Sequence, residues 1–179
     1  MMSNTEFPTS IKWLHWFTVI FLIFAFALVW LAPDEEVNQA LHVTMIRWHI
    51  ACGVVILFLS VLHILARLMQ SIPPLPVNVP AINKGFARLV QLLLLLTVTI
   101  QPILGWLMVN AFGRSLSPLG LFTFPDLIAP DKALGMTLAE WHELNGTVIF
   151  VLAALHGTAA LYHHFIRKDD ILVRMMPRF

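Results

Sequence analysis

The chain of 179 residues is 59% hydrophobic and 12% charged, against roughly 45 to 50% and about 25% in ordinary globular proteins, which excludes a water-soluble domain. Eleven Lys and Arg against ten Asp and Glu leave a net charge of +1, so no nucleic acid or other polyanion is expected as a partner. Cys52 is the single cysteine, which removes an internal disulfide and any cysteine-built cluster, so metal chemistry has to rest on histidine.

The charged residues leave four long gaps. The first, Trp13 to Pro33, is 21 residues, longer than a signal-peptide core of about 7 to 15. Trp13, Trp16 and Trp30 flank it like interfacial anchors, and a retained membrane helix is predicted over about 11–32. The second, Trp48 to Ala66, is 19 residues and predicts a helix over about 46–69. Leu68 to Asn83 is uncharged too, but Pro73, Pro74, Pro76 and Pro80 remove helix donors and make it a stiff connector. The third gap, Leu89 to Gly113, is 25 residues and predicts a helix over about 86–110. Arg114 to Ala139 mixes Pro, Gly and Phe and is expected to lie as a flap on the outer surface. The fourth gap, Leu144 to Ile166, is 23 residues and predicts a helix over about 140–166, with Arg174 to Phe179 a short cytoplasmic tail. A hydrocarbon core about 30 Å thick needs about 20 helical residues. These runs lack the period-2 alternation of a barrel. The expected fold is all-α and integral to the membrane: one domain, 1–179, forming a four-transmembrane-helix bundle in contact with the lipid bilayer.

Cytoplasmic flanks carry the excess of Lys and Arg. Lys12, Arg67, Lys84, Arg88, Arg167, Lys168, Arg174 and Arg178 fall on one side, and only Arg47, Arg114 and Lys132 on the other. Both termini are therefore expected in the cytoplasm.

Ionisable groups within spans are rare enough to signal function. His49 and His63 lie 14 residues apart on the second helix, as do His142 and His156 on the fourth. That separation returns within about 40° of the starting face after a rise of about 21 Å. The two helices run in the same direction, so His49 and His142 share a depth near the outer surface and can oppose each other across an iron. Two such imidazoles are what a six-coordinate haem requires. Deeper in, His156 can pair with His63 or with His15 on the first helix. Gly53, Gly146 and Gly157 provide room for a flat macrocycle beside these positions, although small residues also serve plain helix packing. With no Cys-x-x-Cys-His motif the haems are expected to be non-covalent, b-type groups. Sites stacked about 21 Å apart would conduct electrons across the membrane. His163 and His164 close the fourth helix beside Arg167 and Lys168, suited either to snorkelling or to contact with a propionate or quinone.

His15-Trp16, His49 with Cys52-Gly53, Pro102, Gly105, Trp141-His142-Glu143, His156 and the ending from His163-His164 through Lys168-Asp169 to Arg174-Met175-Met176-Pro177-Arg178 together resemble the bacterial cytochrome b561 family. These are four-helix di-haem proteins of the inner membrane, and the match spans nearly the whole chain. The resemblance implies two haem b groups, with His49 and His142 as the outer axial pair and His15 and His156 as the inner pair. His63 then falls where relatives carry Arg and becomes a neighbour of the inner haem or its propionate. From its place at the cytoplasmic end of the second helix, Arg67, helped by Lys168 or the adjacent histidines, is expected either to neutralise propionates or position a quinone head group, or to snorkel to lipid phosphate. Gln91 stands where some relatives have His.

The resemblance also implies quinone chemistry: a superoxide:ubiquinone oxidoreductase with a small periplasmic electron donor. An alternative of another class is a haem-b membrane-anchor subunit that takes electrons from a partner dehydrogenase or hydrogenase. The basic residues Arg47, Arg114 and Lys132 are the only ones that could attract an anionic donor at the outer mouth, and the acids of the same loops oppose them unless the fold gathers the bases together.

Overall fold

The computed structural model describes residues 7–70 and 81–177. The proline connector around Pro73 to Pro80 and the terminal Arg178 lie outside the described residues. Four long helices make up the bundle: α1 (Thr9–Trp30), α2 (Gln39–Met69), α3 (Ala81–Ala111) and α4 (Lys132–Tyr162). All four are long and apolar enough to cross a membrane, and no strand is present among the described residues. The helices alternate in direction, so both chain ends emerge at one end of the bundle, the terminus end. The α3–α4 loop closes the other, the flap end.

α2, α3 and α4 begin earlier than the charge gaps suggest, at Gln39, Ala81 and Lys132 rather than near 46, 86 and 140. For two of them the reason is a cap. Asn38 accepts a hydrogen bond from the Leu41 amide and Asp131 one from the Leu134 amide, each at 3.1 Å, satisfying donors that a helix start leaves open. Charge-free runs mark only the membrane-embedded part; the polar first turns continue the helix beyond it. α1 stops where Pro33 follows two residues after the Leu31 cap. α4 runs on through a π turn, His163–Arg167, which ends at Lys168 in the left-handed conformation (φ 54°).

α1 packs along α2, α3 along α4, and α2 against α3. Between α1 and α4 the contacts are aromatic: Phe26 and Trp30 meet Phe150 with ring centroids 6.1 and 5.0 Å apart. The buried core gathers Ala25, Leu28, Cys52, Ile56, Val98 and Ile149. Ile149 lies seven residues from both His142 and His156, and Ile56 seven from both His49 and His63. Seven residues return to nearly the same helix face, so this aliphatic layer separates two histidine levels. Large apolar side chains such as Ile23, Phe58, Leu68 and Phe165 are exposed on the outside, as expected of a lipid-facing surface.

The tail is not free. Arg174 is buried with its guanidinium 5.9 Å from the centre of the Phe7 ring, and the Trp16 indole donates to the Met175 carbonyl at 2.9 Å. Trp16, read as a lipid anchor, instead holds the chain end against α1.

Candidate functional site

The structure brings the histidines together in two pairs. The His49 and His142 rings are 6.1 Å apart between centroids with planes 81° apart; those of His15 and His156 are 6.2 Å apart at 72°. Imidazole nitrogens bind a metal at about 2.0 Å, so two ligands opposed across one iron hold their nitrogens about 4 Å apart. Adding about 1.1 Å from nitrogen to ring centre on each side gives a centroid separation of about 6.2 Å. Both pairs have the spacing that a bis-imidazole haem demands.

At the flap end the ring orientations are fixed. His49 Nδ1 lies 3.0 Å from the Ala25 carbonyl of α1, and His142 Nδ1 lies 3.1 Å from the Gln101 carbonyl of α3. A carbonyl only accepts, so each Nδ1 carries the proton and donates, which leaves the Nε2 lone pair for a metal. Local sequence makes this possible. Pro102 lies inside α3 and lacks the amide that would bond to Val98. At the same level the neighbouring carbonyls of Thr97 and Gln101 accept bonds from Asn145 Nδ2 (2.9 Å) and His142. The Gln101 amide donates in turn to the His142 carbonyl at 2.9 Å and its oxygen accepts from Asn145 at 2.7 Å. Gly105 supplies clearance: a Cβ there would stand 3.2 Å from His142 Cε1.

Beside this pair opens a cavity of about 1810 Å³ that spans the flap end. Gly53, Gly105, Gly146, Pro102 and Trp106 are among its lining residues, and so are all three basic residues of that end, Arg47, Arg114 and Lys132. Glu35, Asp131 and Glu143 line it as well. A cavity with opposed imidazoles, glycine-lined walls and cations at its rim suits a flat macrocycle that carries two carboxylates.

At the terminus end His15 is the ring that meets His156. His15 also lies against Trp16 edge-on at 5.5 Å, so the indole that holds the tail flanks this pair. A Cβ on Gly157 would meet nothing within 4 Å, which leaves open space next to His156. His63 and Arg67 are half-buried on α2 four residues apart, on one helix face. Lys168 is exposed. His163 bonds to Asp169 at 2.5 Å, and Arg167 stands 3.8 Å from the same carboxylate oxygen.

Sequence reasoning missed Gln101 and Asn145, because a lone amide in an apolar run carries no periodic signal; they bond to each other and to backbone carbonyls of a helix distant in sequence. Pro102, one residue on, was the available clue.

The fold and site define a four-helix membrane bundle with two histidine pairs spaced for haem. Residues 6–178 match the family model for prokaryotic cytochrome b561, and the chain belongs to that family, whose members bind haem b and carry electrons in membranes. It is 29% identical over 173 residues to cytochrome b561 homolog 1 of Escherichia coli, covering 97% of this chain and 98% of the relative. It is 31% identical over 166 residues to cytochrome b561 homolog 2 of the same organism, covering 92% and 87%. A protein of Yersinia pestis named probable superoxide oxidase CybB is 29% identical over 165 residues, covering 92% of each chain.

Proposed function

We propose that this protein is a di-haem cytochrome b of the bacterial inner membrane, with both termini cytoplasmic, that oxidises superoxide at the periplasmic flap end and reduces ubiquinone. His49 and His142 hold one haem and His15 and His156 the other, with His63 and Arg67 beside the second and Lys168 at the cytoplasmic boundary. Haem held by these two pairs would supply one-electron exchange, with His49 and His142, and His15 and His156, as the residues that would hold it. The Nδ1–H bonds to Ala25 and Gln101 keep the flap-end rings in the ligating tautomer. The aliphatic layer around Ile56 and Ile149 keeps the space between the levels dry.

The observation that carries the choice of donor is that Arg47, Arg114 and Lys132, far apart in sequence, line the same cavity as the His49 and His142 pair. Glu35, Asp131 and Glu143 line the cavity too, so its lining is balanced in formal charge and the pull on a small anion is local to the three bases. The relative named a probable superoxide oxidase supports the same reading. Two superoxide anions each give up one electron and leave as dioxygen, and one ubiquinone takes up those two electrons with two protons to become ubiquinol.

The test uses the purified haem-loaded chain. Superoxide generated in solution is expected to reduce its haems, with ubiquinol formed when ubiquinone is present and no other protein added. Lys132→Glu should slow haem reduction with the spectrum intact, and added salt should slow the wild type. Reduction no faster than that of free haem, or only after adding a dehydrogenase, would instead make the chain an anchor subunit.

A further inference from the structure

Residues 112–131, between α3 and α4, are tied back to the last turn of α3 at both ends and in the middle. α3 ends at Ala111 and the chain turns at Gly113, whose φ of +74° favours glycine. The Gly113 amide returns to the Asn110 carbonyl at 2.8 Å and the Arg114 amide to the Val109 carbonyl at 3.1 Å, the paired bonds of a Schellman stop. At the far end of the flap the Asp131 amide bonds to the Ala111 carbonyl at 2.9 Å. Arg114 and Lys132, which bracket the flap, therefore both start from the end of α3.

The middle tie is Asn110, 2% exposed. Its Nδ2 donates to the Arg114 carbonyl at 3.1 Å and to Asp126 Oδ1 at 2.9 Å, and its Oδ1 accepts from the Leu127 amide at 2.9 Å. Asp126 Oδ2 accepts from the Ser115 hydroxyl at 3.2 Å. One buried amide thus joins the outgoing limb of the flap, its return and the helix. Leaving such buried partners unsatisfied is costly.

We infer that Asn110 is a positioning residue for the donor step: it holds the flap as a fixed rim that presents Arg114 and Lys132 to the cavity, and so sets how fast an anion reaches the flap-end haem. The inference rests on the proposed reading for the identity of the anion, but not for the clamp itself.

Two measurements separate these. Hydrogen exchange followed by mass spectrometry on the full-length protein should show the segment 114–128 exchanging at least about tenfold faster in Asn110→Ala, because the Leu127 amide loses its acceptor and the flap loses the tie that holds its two limbs to α3, while α1 and α2 stay unchanged. Unaltered exchange in that segment overturns the clamp. If Asn110→Ala does not assemble, Asp126→Ala removes one of the three Asn110 bonds together with the Ser115 bond and is expected to accelerate exchange in the same segment by a smaller factor; unaltered exchange there overturns the clamp. In the haem-loaded protein, Arg114→Gln should slow reduction by superoxide about threefold, the loss of one charge acting across several ångströms of solvent. Asn110→Ala should lose a similar factor with its spectrum unchanged, and the double variant should lose no more than either alone. Losses that multiply, or wild-type rates in Asn110→Ala, overturn the positioning role. If the wild type itself fails to react with superoxide, the donor reading falls and the exchange result alone judges the clamp.

Discussion

Gly105→Ala tests how tightly the flap-end site is built. A Cβ at position 105 would stand 3.2 Å from His142 Cε1 and 3.5 Å from its Nδ1, where carbon contacts prefer about 3.5 to 4.0 Å. The imidazole has to give way by about 0.4 Å. It is held from one side by the Gln101 carbonyl at 3.1 Å and faces the His49 ring with centroids 6.1 Å apart, so any shift loosens its hydrogen bond or changes the gap that an iron must fill. Overpacking of this kind costs about 1 to 3 kcal/mol. Alanine also favours the helix over glycine by about 1 kcal/mol, but that gain is present with or without haem. The flap-end haem should therefore bind roughly 5- to 150-fold more weakly, while the terminus-end haem stays in place. Haem titration of the stripped protein, with the two low-spin signals resolved by electron paramagnetic resonance, measures both. Gly85→Ala, where a Cβ meets nothing within 4 Å, is the control and should match the wild type. Unchanged affinity in Gly105→Ala, or equal loss from both sites, would refute the reasoning.

Further outcomes follow from the same geometry. His63→Ala should keep both haems and at most shift the potential of the one at the terminus end, read by redox titration, because His15 is the ring that faces His156. Gly157→Ala should leave the haem-free chain as stable as the wild type, since the added methyl meets no protein atom within 4 Å, yet weaken the terminus-end haem in the same titration. Trp16→Phe removes the bond to the Met175 carbonyl, worth about 1 kcal/mol, and should make the C-terminal tail roughly fivefold more susceptible to limited proteolysis.

The four spans were legible because a bilayer forces long charge-free runs, and the 14-residue histidine spacing was legible because helical periodicity is regular. The helix starts at Gln39 and Lys132 were not. They depend on the caps Asn38 and Asp131, which lie among polar residues outside the membrane, where hydropathy carries no information. Spacing on single helices could not choose between His15 and His63, since the choice depends on how α1 sits against α4. The family resemblance pointed to His15, and the structure brings His15 to His156. The gathering of Arg47, Arg114 and Lys132 around one cavity is likewise a tertiary fact: each base lies in a different segment, and only the tie of both flap ends to α3 brings Arg114 and Lys132 to the same rim.

The claim that four histidines form two separate six-coordinate sites is tested most directly by counting haem. The pyridine haemochrome assay on the purified chain should give two haems b per polypeptide, falling to one in His142→Ala and to one in His156→Ala, with a different low-spin signal surviving in each. One haem in the wild type, or the same surviving signal in both variants, would contradict the account.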